Sequence, residues 1–249
     1  MPTALFIAVL AVAAVVTSFI SGILGMAGGM ILMGVLLAFM PVTSAMMLHG
    51  ITQFASNAWR FWLWRSTVDW RVFRGYVYGA LATMAAFAMV QLVVSKPIAL
   101  IVMGLTPFIT LALPDRLHLN VERRGHPFAC GVVCSTLSLT AGVSGPMLDV
   151  FFVRSSLGRQ AVIATKALTQ TFSHLQKIAY FGAIAATTAG AAVEPWLGAM
   201  MVVLALAGTT LSTRVVEKMT DQAFRFWTRW TVVVLGIFYV INGTWLLLR

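Results

Sequence analysis

The sequence predicts an all-α, polytopic membrane protein of two inverted repeats, each a broken or re-entrant helical hairpin followed by three transmembrane helices. Three observations predict it. First, the 249 residues are 60% hydrophobic and 10% charged, with a mean hydropathy of +0.92; apolar runs near the roughly 20 residues needed to span a bilayer recur throughout. Second, the glycine knot Gly25-Met26-Ala27-Gly28-Gly29-Met30 returns 117 positions later as Gly142-Val143-Ser144-Gly145-Pro146-Met147. Third, the basic residues sort to one face. No stretch is left over for a soluble domain, so residues 1–249 read as a single transmembrane domain, with 1–125 the first repeat and 126–249 the second.

The elements follow in order. The start, Met1-Pro2-Thr3-Ala4, lacks the basic segment of a cleavable signal peptide, so the first apolar run, 4–24, is kept as a helix. The first glycine break follows, then a short helix 29–40 stopped by Pro41, and a helix 43–64. Helices 73–94 and 98–113 are separated by Lys96-Pro97. The longest polar stretch, Pro114 to Pro127, is the seam between the copies. The second half repeats the plan with 128–141, the second break, 146–156 and 160–183, then a small-residue loop (Ala185 to Ala192), 195–213, a charged loop (Arg214 to Arg225) and 226–248. Glycine tolerates backbone angles that other residues avoid and proline removes a donor, so each knot interrupts a helix. Inside a bilayer the freed N–H and C=O groups survive only where protein or a water-filled cavity surrounds them. Matched breaks in two halves therefore point to a transporter's substrate site.

If each hairpin enters and leaves on one side, each half makes three net crossings, and an odd number inverts the second half. On that plan one face receives Arg65, Arg71, Arg74, Arg116, Arg123, Arg124, Arg154, Arg159, Arg214, Lys218, Arg225 and Arg229, and the other only Lys96 and Arg249. The positive-inside rule then places both termini outside, in the periplasm. It also accounts for the net charge of +10 without a nucleic-acid partner. Whether the hairpins cross fully or dip halfway stays open. Trp59, Trp62, Trp64, Trp70, Trp227 and Trp230 flank basic loops and read as interfacial belts. Cys130 and Cys134, one turn apart in an apolar segment, read as packing residues.

The helix 43–64 carries His49, Thr52, Gln53, Ser56, Asn57 and Arg60. The same offset gives Lys166, Thr169, Gln170, Ser173, His174 and Lys177. Both sets run i, i+3, i+4, i+7, i+8, i+11, one face of an α-helix. Such a face is costly against lipid and belongs inside the protein or on a cavity. Packing by interhelical hydrogen bonds is the plainer account of the hydroxyls and amides, and Arg60 and Lys177 have the alternative of snorkelling to the interface. The intramembrane cations favour function. Against them stands one intramembrane acid, Asp149, a candidate for proton coupling or a simple partner of Lys166. The helices opening at Gly29 and Pro146 would add N-terminal partial positive charge. Cations and neutral donors together describe a site for a small oxyanion or carboxylate, with no cofactor and no metal. The expected lining is Gly25, Gly28, Gly29, Gly142, Ser144 and Gly145 with the two polar faces.

Duplicated Gly-x-x-Gly-Gly and Gly-x-x-Gly-Pro breaks, a Thr/Ser-bearing helix after each, and an all-helical chain of this length resemble the TauE/SafE family of sulfite and organosulfur anion exporters. The resemblance covers nearly the whole chain. It implies a bacterial inner-membrane permease of inverted repeats that moves sulfite, sulfonates or related anions, driven by the proton gradient, with Gly25, Gly28, Gly29, Gly142, Gly145 and Pro146 at the site. The chain departs from the commoner pattern in its Gly-Met-Ala-Gly-Gly break and in the His49-to-Arg60 face. Two rivals remain. Gly142-Val143-Ser144-Gly145 matches the Gly-x-Ser-Gly of rhomboid-like intramembrane proteases, with His174 as base, although the first copy has Ala27 in place of the serine. A transition-metal permease would use His49, His174 and Asp149.

Overall fold

The computed structural model describes residues 4–24, 26–114, 117, 119–188, 192–216 and 221–249. Within them lie ten α-helices. Helices α1 (Ala4–Leu24) and α2 (Ala27–Phe39) flank the first break, and α3 (Val42–Trp64) starts directly after Pro41, where a missing N–H costs nothing. A 3₁₀ turn (Arg65–Thr67) leads to α4 (Trp70–Val90), which begins three residues before the expected start. The reason is a cap: the Asp69 carboxylate accepts from Arg71 N and Val72 N, both at 2.9 Å. Then come α5 (Lys96–Ala112), α6 (His126–Ala141), α7 (Gly145–Phe152), α8 (Arg159–Thr187), α9 (Pro195–Val216) and α10 (Asp221–Leu247).

Several boundaries correct the sequence reading. Gly142, at φ +79, ends α6 in the left-handed region that suits glycine. Helix α7 stops at Phe152 rather than 156, and at eight residues it covers only about 12 Å of a hydrocarbon core roughly 30 Å thick. Helix α8 runs past 183 into the small-residue loop, because alanines are good helix formers. Helices α9 and α10 both extend into the charged loop expected at 214–225.

Helices α3 and α8 form the most extensive contact in the molecule. They cross antiparallel: Gly50 faces Lys177 and Ile178, while the Asp69 N–H beyond the other end of α3 donates to Thr165 Oγ1. Helix α1 runs beside α9, and α4 beside α6. The second pair meets backbone to backbone. A Cβ on Gly79 would lie 2.1 Å from Phe128 O, and one on Gly131 would lie 2.1 Å from Tyr76 O, the close approach that small residues permit in membranes. Helices α5 and α10 are antiparallel through Gly104, Gly236 and Gly243. Exchanging the first five helices for the last five maps α1–α9 contact onto α6–α4 and α3–α9 onto α8–α4, and leaves α3–α8 and α5–α10 on themselves.

Among the described residues, four helices are long and apolar enough to cross a membrane by length and composition: Ala4–Leu24, Trp70–Val90, Pro195–Thr213 and Phe226–Leu247. Helices α3 and α8 are long too, but their polar faces lower their hydropathy. Those faces are turned inward: His49, Thr52, Gln53, Ser56, Asn57, Thr169, Ser173, His174 and Lys177 are all buried. Cys130 and Cys134 are free and buried in the apolar contact of α4 with α6. The seam closes on the end of α7. Val121 N donates to Phe151 O, and the Glu122 carboxylate accepts from the Ser156 N–H and hydroxyl, which hold it below the usual carboxylate range.

Candidate functional site

The two breaks meet. A Cβ on Gly145 would lie 2.4 Å from Met26 Cβ, and one on Gly142 would lie 2.7 Å from Met33 Sδ. Glycine is required at 145 because Met26 Cβ occupies the space a side chain would need, and at 142 because the backbone is left-handed there. Between the breaks and helices α3 and α8 lies a cavity of about 30 Å³. Its apolar wall is Met26 and Val143, which occupy equivalent positions in the two knots. A wider groove of about 450 Å³ beside Trp59 and Thr210 lies elsewhere, lined chiefly by apolar residues of α9.

Helix α3 gives the cavity His49, Gln53, Asn57 and Arg60, and helix α8 gives Gln170 and His174. Among the described residues, three polar atoms of this lining have no hydrogen-bond partner: Gln53 Nε2, Arg60 Nε and His174 Nδ1. Buried polar groups normally find partners, and leaving one unmet costs about 1–3 kcal/mol. Two of the three atoms are donors only. Asn57 braces the wall, donating to Gln53 O at 2.8 Å and accepting from Arg60 Nη2 at 2.7 Å. The start of α7 at Gly145 brings the positive end of a helix to the same place.

The expected lining divides into residues that reach the cavity and residues that do not. Gly29, Ser144, Gly145, His49, Gln53, Asn57, Arg60, Gln170 and His174 reach it. Gly28 packs instead against α1, where a Cβ would sit 2.0 Å from Thr17 O. Thr52 and Thr169 bond back to Leu48 O and Lys166 O of their own helices. Ser56 bonds Thr209 of α9 at 2.7 Å, and Ser173 is buried outside the lining. Gly142 offers its carbonyl to Lys177. Gly25 lies outside the described residues. The polar faces are thus divided between a site and the joints around it.

The charged residues also sort. Lys166 forms an ion pair with Asp149. Lys177 is fully buried rather than snorkelled, with Nζ 2.6 Å from His49 Nδ1 and 2.9 Å from Gly142 O. His49 in turn reaches the other break, its Nε2 3.0 Å from Gly29 O. Pattern reading misses Ser21, Met26 and Val143 in the lining; the repeat offset already pairs Ser21 with Ser138 and Met26 with Val143. It also misses Gln176, which joins three helices by accepting from Ser135 and donating to Ala80 O. Among the described residues no group of three His, Cys, Asp or Glu side chains is placed to hold a metal.

Among known proteins, the profile of the family described as sulfite exporter TauE/SafE matches residues 10–239. No curated protein and no solved structure matches the chain.

Proposed function

Because the chain belongs to the sulfite exporter TauE/SafE family, whose members are multi-pass membrane transporters and not enzymes, we propose that it is a secondary transporter of a small anion. The substrate is sulfite, a sulfonate or another organosulfur or carboxylate compound, carried across the bacterial inner membrane. The observation that carries this reading is the set of unpartnered atoms at Gln53, Arg60 and His174, facing one cavity where the two breaks meet. The nearby acid, Asp149, is neutralised by Lys166, so the positive balance of the lining is left for a substrate.

Two inverted halves alternating around this cavity give the mechanism. The antiparallel crossing of α3 with α8 and the exchange of helix neighbours between halves support that arrangement. So does the gathering of basic loops at one face, with both termini at the other, the periplasmic one. Magnitude adds a constraint: a cavity of about 30 Å³ has room for roughly one water. Sulfite has four heavy atoms, so the two hairpins must part to admit it. The tight contacts of Gly145 with Met26 and Gly142 with Met33 are where that parting occurs.

Proteoliposomes loaded and assayed with sulfite, thiosulfate, sulfoacetate and a carboxylate analogue, with and without a pH gradient, test the reading. At least one sulfur oxyanion should show saturable transport, and Gln53→Ala should reduce it by about tenfold or more, the worth of one hydrogen bond to a charged group. Undiminished transport in both Gln53→Ala and Gln170→Ala would refute the site.

A further inference from the structure

The anion site leaves Lys177 without a task. Its side chain is 0% exposed, and among the described residues no carboxylate lies within ion-pairing distance of it; Asp149 is taken by Lys166. Its stem passes Gly50 of α3, where a Cβ would come 3.4 Å from Lys177 Cε. The amine then stops against His49 Nδ1 and Gly142 O.

Hydrogen-bond logic limits what this contact can hold. Gly29 O only accepts, so His49 Nε2, 3.0 Å away, carries a hydrogen. In the neutral ring Nδ1 is then a lone pair, and it faces the amine at 2.6 Å. Two N–H groups cannot oppose one another at that distance. The pair therefore carries one positive charge or none, whether the shared proton rests on Nζ or on Nδ1.

The surroundings decide between those two states. On α8, His174 meets the His49 ring edge-on with centroids 5.6 Å apart. Arg60 of α3 lies across the cavity, the second break contributes the Gly142 carbonyl, and α2 contributes the apolar Met33. None of these is an anion; the acid Asp149 of α7 acts on Arg60 but is ion-paired with Lys166. A buried ammonium without a counter-charge is costly, so with no anion bound the neutral pair is favoured. A negative charge between Arg60 and His174 favours the protonated one.

We propose that Lys177 and His49 form a one-proton site, strung between the carbonyls of the two breaks, that fills when an anion occupies the cavity. This rests on the anion reading above and extends it: a monovalent sulfonate and its proton bind together with no change in net charge. The proton site thereby moves from Asp149, the acid the sequence offers, to a pair of bases behind the cavity wall.

The test is calorimetric titration of the purified full-length protein with isethionate, in buffers of differing ionisation enthalpy across a range of pH. A sulfonate is the right probe because it does not titrate near neutrality, whereas sulfite does. Wild type should take up about one proton per bound isethionate, and Lys177→Met, which keeps the length and apolar stem, about none while still binding more weakly. In His49→Gln the pH midpoint of uptake should shift, a change that a merely structural role would not produce. Uptake near one in Lys177→Met would overturn the proposal, as would wild-type binding with no proton uptake. A folded Lys177→Met that binds no isethionate would assign the ammonium to the anion and overturn it equally. Should Lys177→Met fail to fold, an unchanged midpoint and uptake in His49→Gln would overturn it. Absence of isethionate binding to wild type at every pH would bring down the anion reading itself, a result distinct from these.

Discussion

The two ends of the α3–α8 contact hold equivalent positions of the duplicated sequence, since the 117-residue offset carries 49 to 166 and 60 to 177. At one end His49 and Lys177 are buried and bonded to the break carbonyls. At the other, Lys166 is 28% exposed and paired with Asp149, itself 38% exposed, while Arg60 leans on Asn57. The acid has no counterpart: the position equivalent to Asp149 is Leu32, buried in the apolar core. Backbone breaks and polar faces are duplicated, but charge compensation is not. A partly exposed ion pair contributes little, about 0–1 kcal/mol, but at the Asp149 end charge is compensated within the protein. Among the described residues the Lys177 end has no built-in counter-charge, and on the proposal above its balance depends on the anion.

Four substitutions break or sharpen that contrast. The largest effect is expected where the anion's charge is met. Arg60→Gln should weaken sulfonate binding about 100-fold, near 3 kcal/mol for a lost charged donor, and His174→Phe, which keeps the ring edge against His49, about tenfold. Calorimetry on the two variants checks the order, and a reversed order would move the anion toward the histidine end. Asp149→Asn comes next. It removes about 1 kcal/mol, discounted for exposure, which is a fall of about 2–4 °C in Tm. Sulfonate affinity should rise a few-fold because a negative charge has left the region. A fall in affinity would instead make Asp149 part of the binding site. The smallest effect is expected for Gly50→Ala. Its repeat mate Ala167 already carries a Cβ, whereas a Cβ at 50 would meet Ile178 Cγ1 at 2.9 Å and the Lys177 stem at 3.4 Å. Both are side-chain atoms able to shift, so a thermal melt should show a loss of about 1 kcal/mol or less. A much larger loss would mean that the Lys177 stem is fixed in place.

Particular residues show how far pattern reading carried. The spacing from His49 to Arg60 put six polar side chains on one helical face, and that face is indeed turned inward. Spacing could not say which neighbour each side chain meets. Six residues over three turns cover an arc wide enough to touch several elements, so Gln53 reaches the cavity while Ser56 reaches α9 and Thr52 turns back on its own helix. Gly28 and Gly29 are adjacent in a single motif, yet one packs against α1 and the other faces Gln53 and His49. Met26 and Val143 carry no polar signal at all and were invisible until the knots were brought tip to tip.

Sequence alone determined that the chain is helical and membrane-embedded, where its helices break, and which faces are too polar for lipid. These are local properties, fixed by hydropathy, by the backbone freedom of glycine and by the 3.6-residue helical period. Tertiary structure alone decided that Lys177 finds His49 and a carbonyl, and that three polar atoms are left over around one cavity; for Asp149 it supplied the Lys166 partner that the sequence had already offered. Partner choice for a buried polar group depends on distances of a few tenths of an ångström between separate segments, 35 residues apart for Lys177 and Gly142 and 128 for Lys177 and His49, and no periodicity within a segment encodes them.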